Sequence, residues 1–258
     1  MKIVEWLKIH EPRLKKDADD VATTLVHAEI IQKKPFLKKL YIDFYKEFRK
    51  AIPDFEKKVL VELGSGGGFI REIISNVITS DILELPNVDM VFSATRMPFE
   101  DSSVDAFFMF DVLHHIADPK AFLKEALRCL KVSGKIVMIE PANTLWARFI
   151  YKNFHHERFD IRAEWDSEKA QPLSQGNNAT PWIIFSRDRG IFEKEFSSLK
   201  IVDMRNHTPL RYLFSGGLTL RQLVPSFTYP LIKAVEYGLS PINDWLGMFQ
   251  TIELQKVA

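Results

Sequence analysis

The sequence predicts an α/β fold, a doubly wound sheet of parallel strands with helices on both faces. Three observations predict it. Short apolar runs alternate with helical patterns from 57 to 141, the first run breaks into glycines directly after an acidic residue, and acidic residues recur where later runs end.

Residues 1–56 read as a helical cap. Leu37, Leu40, Tyr41, Phe44 and Phe48 fall at helical spacing on one face, and Pro53 closes the segment. Strands are then expected at 58–63, 77–81, near 89–92, 105–110 and 135–140, with helices over 69–76 and 119–131. Asp118 and Pro119 supply an N-cap and a first-turn proline for the second of these helices. Further on, 144–154 reads as helix, 155–182 as polar loop, 187–198 as helix, and 200–206 and 247–254 as the last strands. The stretch 209–245 is an insert between them, rich in aromatics and broken by Gly216, Gly217, Pro225, Pro230 and Pro241. The domains expected are a cap over 1–56 and a sheet domain over 57–258 that carries this insert.

Composition narrows the class. The 258 residues are 46% hydrophobic, enough for a full core, and 35 basic side chains nearly balance 34 acidic ones, so no overall field draws the chain to nucleic acid. Between 61 and 140 the balance is seven basic to twelve acidic, net −5, which favours a cationic ligand there. Cys129 is the single cysteine, which excludes an internal disulfide and a cysteine-based zinc site. The N-terminus lacks the pattern of a secretory signal, and the longest apolar stretch, Ala106 to Phe110, is far short of the ~20 residues a membrane helix needs. A cytoplasmic protein is expected, with peripheral contact at a membrane left open.

The richest local signal is Glu62-Leu63-Gly64-Ser65-Gly66-Gly67-Gly68. Glycines permit a sharp turn and close approach of a ligand, and a strand, a glycine turn and a helix start together make a nucleotide-type pocket. A dinucleotide fingerprint begun at Gly64 needs a small residue at 69, where this chain has Phe69, and no lysine follows as a phosphate loop requires. The Glu62 carboxylate would repel a pyrophosphate and attract an ammonium or sulfonium group.

These residues resemble the first motif of class I S-adenosylmethionine (SAM) dependent methyltransferases. Five further features follow in the order of that family: Asp81 after Val77-Ile78-Thr79-Ser80; the run Ala94 to Asp105; Asp111-Val112-Leu113-His114-His115-Ile116; Asp118-Pro119; and Val132-Ser133-Gly134-Lys135 before the strand 136–140. The pattern is most similar to the type-11, small-molecule branch and spans about Lys57 to Pro141. The resemblance implies a Rossmann-like sheet whose last strand is antiparallel, and SAM as cofactor with S-adenosylhomocysteine as product. It implies Glu62, Gly64, Ser65 and Gly66 around the methionine portion, Asp81 on the ribose, Ile82, Ala94 and Thr95 near adenine, and Asp111 and Val112 closing the pocket. Two departures stand out. Ser93 replaces the family's adenine-binding aspartate, and the short span from Asp81 to Ser93 leaves no room for the usual helix.

Methyl transfer to a hydroxyl also needs a base, for which histidine is suited. His114, His115, His155 and His156 are the candidates at the expected carboxyl edge, with His207 weaker. No Asn/Asp-Pro-Pro-Tyr/Phe element marks a nucleic-acid amino methylase, Cys129 reads as core, and no carboxylate–amide cluster of the metal-dependent catechol type can be assembled. No metal is therefore expected. The function expected is SAM-dependent methylation, on oxygen, of a small-molecule or lipid- or glycan-linked acceptor. The alternative is a catalytically silent SAM-binding or scaffold protein with the insert as its partner surface.

Overall fold

The computed structural model describes residues 8–9, 11, 20–155, 157–165 and 176–257. Helices α1 (Val21–Lys33) and α2 (Pro35–Ala51) come first, α1 capped by the Asp20 side chain and α2 opened by Pro35. The strands are β1 (Leu60–Leu63), β2 (Ile78–Asp81), β3 (Met90–Val91), β4 (Val104–Phe110), β5 (Leu130–Pro141), β6 (Leu199–His207) and β7 (Phe249–Lys256). Between them lie α3 (Pro119–Cys129), α4 (Leu145–Phe154), α5 (Arg189–Glu195), and the insert helices α6 (Arg211–Ser215), α7 (Tyr229–Gly238) and α8 (Asn243–Leu246).

All seven strands form one sheet in the order β3-β2-β1-β4-β5-β7-β6. The first five run parallel, and β7 runs antiparallel between β5 and β6. This is the expected Rossmann-like arrangement. It brings the ends of β1, β2, β4 and β5 to one edge, where ligands of open α/β sheets bind.

Side chains alternate across a strand, so β4 feeds both layers of the core. Phe108 stacks on Phe48 of α2 with centroids 5.1 Å apart, and Phe110 meets Tyr41 and Phe44 at 4.9 and 5.0 Å. On the other face Phe107 meets Phe99, whose carbonyl accepts a hydrogen bond from Arg128 of α3. The apolar stripe of α2 expected from its spacing is buried in full, and Cys129 is buried in the core.

One expected element is absent. Instead of a helix over 69–76 the chain makes a single 3₁₀ turn, Ile70–Glu72. The face on which that helix would pack is taken by α2. Tyr45 lies edge-on to Phe69 at 5.3 Å, and its hydroxyl accepts the Phe69 N–H at 3.2 Å. Asn76 is then pinned to the carbonyls of Phe55 and Lys58, which returns the chain to β2 at once. β3 has two residues and no helix precedes it, as the short span from Asp81 to Ser93 implied.

The insert packs back onto the cap. Lys34, between α1 and α2, is buried, and its Nζ donates to the carbonyls of Gly217 and Leu220. Desolvation lowers its pKa to about 8. Among the described residues no helix is long and apolar enough to cross a membrane.

Candidate functional site

The glycine turn follows β1. Gly64 and Gly66 have φ of +66° and +48°, the left-handed region that glycine enters without penalty. A Cβ on Gly64 would lie 2.7 and 2.9 Å from the Val112 methyl groups, so Val112 closes directly over this glycine. At Gly66 the nearest atoms to such a Cβ, the Gly64 carbonyl oxygen and a Thr24 methyl, are 3.9 and 4.0 Å away, ordinary contact without a clash. The turn is tied to β2: Ser65 N–H donates to the Ser80 carbonyl (2.8 Å), and Ser80 N–H donates to Ser65 Oγ (3.2 Å). Helix α1 lies on the turn so closely that a Cβ on Gly67 would meet the Ala28 backbone at 2.7 Å. With one 3₁₀ turn after it, the glycine turn has no helix N-terminus aimed at its ligand. The strand and glycines of the expected pocket are present and the helix dipole is not.

Glu62 sits beneath this turn, buried to 3% exposure, with Oε2 lacking any hydrogen-bond partner. Burial drives its pKa up to about 8; the Ser65 hydroxyl opposes this, Asp81 adds to it and Arg71 counters. An unpaired buried carboxylate oxygen is costly, and a cationic head placed against it removes that cost.

Asp81 ends β2 with its carboxylate engaged. Oδ2 accepts from Gly66 N–H at 2.8 Å and Oδ1 from Leu83 N–H at 3.0 Å, which leaves each oxygen a second lone pair. Ile82 is 55% exposed. The Ser93 hydroxyl is taken up locally, 2.9 Å from Thr95 Oγ1 and accepting Thr95 N–H at 3.3 Å, in a turn that includes Ala94.

The ends of β4 and β5 carry the densest chemistry. Asp111 has φ of +62°, a strained value for a residue with a Cβ. Glu140 is fully buried and saturated. Its Oε1 accepts the N–H groups of Val112 (2.9 Å) and Leu113 (2.7 Å), and its Oε2 lies 2.8 Å from His114 Nδ1. His114 is buried, and its Nε2 points at Glu157 Oε2 (3.7 Å) and Asp111 Oδ1 (4.0 Å) with no hydrogen-bond partner. His115 Nε2 lies 3.7 Å from Glu157 Oε1, and His155 Nδ1 is 3.7 Å from Glu157 Oε2. Three imidazoles thus surround one carboxylate.

Burial alone would lower the His114 pKa, but its bond to Glu140 and the charges of Glu157 and Asp111 hold it well above the imidazole range. The same histidines, against burial, hold Glu157 well below the carboxylate range. Asp111 is pushed up to about 7 by desolvation, with His114 opposing and Glu157 and Glu140 adding. Its side chain keeps 42% exposure, so it stands on the wall of a cleft that water reaches, and screening weakens that push.

The loop after α4 roofs this cluster. Asn177 N–H donates to the His114 carbonyl (3.1 Å), the buried Asn178 side chain reaches His155 Nδ1 (3.3 Å), and a Cβ on Gly176 would lie 2.7 Å from His115 Nδ1. Of the histidines expected at this edge, His114, His115 and His155 gather here. His207 does not: its nitrogens lie 2.9 Å from the hydroxyls of Thr208 and Thr251, and desolvation lowers its pKa to about 3. His156 lies outside the described residues. Glu157 and the anchoring part played by Glu140 are additions to the expected site. The visible signal was an acidic residue directly after the His155-His156 pair and another at the end of a strand.

The seven-stranded sheet with β7 reversed, and the glycine turn where β1 ends, make up the Rossmann-like methyltransferase fold. Residues 61–138 match the methyltransferase-domain family of the type-11 branch, less than half of the chain. That stretch is similar to a methyltransferase domain, and the likeness covers less than a third of the chain. No curated protein matches it. Among solved structures it is similar to a SAM-dependent methyltransferase from Archaeoglobus fulgidus, at 15% identity and a TM-score of 0.51, over 84% of this chain and 94% of that one. It is similar also to one from Thermotoga maritima, described as a possible histamine N-methyltransferase, at 17% identity and a TM-score of 0.50, over 84% and 89% of the two chains. At such identities the likeness is one of fold.

Proposed function

We propose that the chain transfers the methyl group of SAM to a hydroxyl oxygen of a small-molecule acceptor, free or carried on a lipid or glycan. The observation that carries this reading is the adjacency of two chemistries at one sheet edge. Val112 covers Gly64 on one side and is followed within two residues by the His114-His115 pair of the imidazole–carboxylate cluster.

In this reading Glu62 takes the ammonium of SAM, and its unpartnered Oε2 supports that role. Gly64, Ser65 and Gly66 border the methionine portion, and the positive φ of both glycines supports the sharp turn this needs. The spare lone pairs of Asp81 accept from the ribose hydroxyls. Exposed Ile82, with Ala94 and Thr95, lines the adenine, and Asp111 and Val112 close the cleft. SAM bound there supplies an activated methyl. The acceptor oxygen forms a bond to the methyl carbon as the carbon–sulfur bond breaks, the sulfur leaves as a neutral thioether, and the hydroxyl proton passes to the cluster. His115 and His155, with side chains 17% and 24% exposed, are the bases the acceptor can reach, whereas His114 is enclosed. A proton acceptor of this kind favours oxygen over an already neutral amine.

The test is transfer of labelled methyl from SAM to a panel of hydroxylated and amine acceptors, with calorimetry for SAM affinity. His115→Ala is expected to lower kcat by about 10²–10⁴ with SAM affinity retained. Failure to bind SAM sinks the reading, and SAM binding without transfer to any acceptor favours the scaffold alternative. The insert bears on the acceptor's form: Phe227, Leu231 and Tyr237 are 79%, 67% and 83% exposed, an apolar rim suited to an amphipathic acceptor. Flotation with anionic and neutral vesicles, against Phe227→Ser, tests contact with a lipid surface.

A further inference from the structure

We propose that His114, His115 and Glu157 bind one divalent transition-metal ion. The sequence, with no carboxylate–amide cluster and a single cysteine, raised no expectation of a metal; these three ligands come from two segments that the fold brings together.

Geometry carries the proposal. The candidate ligand atoms of the three side chains all lie within 4.8 Å of one another, and Glu157 offers one oxygen to each imidazole, Oε2 to His114 and Oε1 to His115, both at 3.7 Å. These separations are too long for hydrogen bonds. They are close to the spacing of about 3.4 Å between ligands held at about 2.1 Å in a tetrahedral site. The two rings, adjacent on one 3₁₀ turn, have centroids 4.0 Å apart.

A second observation points to a ligand. His114 Nε2 is wholly enclosed, lacks any hydrogen-bond partner and is aimed between two carboxylates. On the other side of the ring, Nδ1 lies 2.8 Å from Glu140 Oε2, the carboxylate–histidine relation that orients a metal-binding imidazole, whose Nε2 proton the ion would displace. Two imidazoles and one carboxylate suit zinc, manganese or iron(II) better than magnesium, which prefers an oxygen shell.

Three protein ligands leave a position open, on the side where Asp111 stands exposed. A cation there would bind the acceptor hydroxyl and lower its pKa, so that His115 would serve as ligand in place of base. This last role rests on the methyltransferase reading; the binding of the ion does not.

The experiment strips the full chain with a chelator, then titrates zinc chloride by calorimetry and cobalt(II) by its visible absorption. One ion per chain is expected. Glu140→Gln should weaken zinc by about 10–100-fold, the cost of losing an orienting partner, and Glu157→Gln by more. His207→Gln, away from the cluster, should leave affinity unchanged, and circular dichroism monitors folding of each variant. Absence of saturable zinc binding by the folded chain overturns the proposal, as does affinity that survives both Glu157→Gln and His115→Ala. SAM affinity of the stripped protein separates the two readings: SAM without zinc removes the metal site alone, and zinc without SAM removes the methyltransferase site alone.

Discussion

The Asp81 carboxylate receives the backbone N–H of Gly66 at 2.8 Å. The residue expected to hold a ribose is thus first a strut for the glycine turn, and Leu83 N–H occupies its other oxygen at 3.0 Å. Asp81→Ala should lower SAM affinity by about 1–3 kcal/mol through loss of both functions. Asp81→Asn keeps an acceptor oxygen for one of the two N–H groups and should fall between the variant and the native chain. Calorimetry with SAM decides, and unchanged affinity in the alanine variant would move the ribose contact elsewhere.

Gly64 and Val112 define the tightest approach in the cleft. Gly64→Ala meets two obstacles, the positive φ and a contact with the Val112 methyls near 2.7 Å. A destabilisation of about 1–3 kcal/mol is expected from the strained backbone alone. Removing the Val112 methyls in a Gly64→Ala, Val112→Ala double variant should recover the steric part and leave the φ part. Urea midpoints of the four proteins measure that coupling, and strict additivity would show that Val112 yields without cost.

Glu62 makes stability fall with pH. Its folded pKa, about 8, lies above the ordinary carboxylate value of 4.5, so between these limits the folded chain holds a proton that the unfolded chain has released. The stabilisation this provides is whole below pH 4.5, declines as pH rises and is gone above about 8. Glu62→Gln should flatten that part of the profile and raise the melting temperature at pH 8. The same variant should bind SAM more weakly, because its amide cannot pair with an ammonium. Melting curves from pH 5 to 9, with and without SAM, test both signs.

The strands and their acidic ends were legible in sequence because alternation and a glycine break are local properties of the chain. Glu62, Asp81, Asp111 and Glu140 all stand at the strand ends where they were expected. The helix over 69–76 was misread because its apolar spacing is real, while the surface it would cover belongs to Tyr45 and Phe48 from distant α2. Glu157 was overlooked for a related reason. Its importance depends on Gly176, Asn177 and Asn178 folding over His114 and His115, and no periodicity reports where a polar loop returns. Lys34 likewise stands beside Lys33 in the sequence with nothing local to show that two carbonyls of the insert hold it in the interior.

A buried ion network joins the insert to the cap, and its loss should be costly. The Arg211 guanidinium donates to Asp43 Oδ2 at 2.6 Å, pairs with Glu236 Oε2 and lies over the Tyr229 ring. Glu236 Oε1 also accepts the N–H groups of Leu210 and Arg211, which starts α6. Removing Arg211 leaves Glu236 as an uncompensated buried charge while Asp43 keeps Lys233, so Arg211→Ala should cost about 3–5 kcal/mol. A paired Arg211→Met, Glu236→Leu replacement should cost less, although the two N–H groups then lose their acceptor. Asp43 sets the pH response. Burial raises its pKa, but Lys233, Tyr229 and Arg211 outweigh this and lower it, so its contribution is present above the ordinary carboxylate range and lost as pH falls. Denaturant unfolding at pH 7 and pH 3 should show Arg211→Ala losing most at neutral pH, and an equal loss at both would place the energy in packing instead of charge.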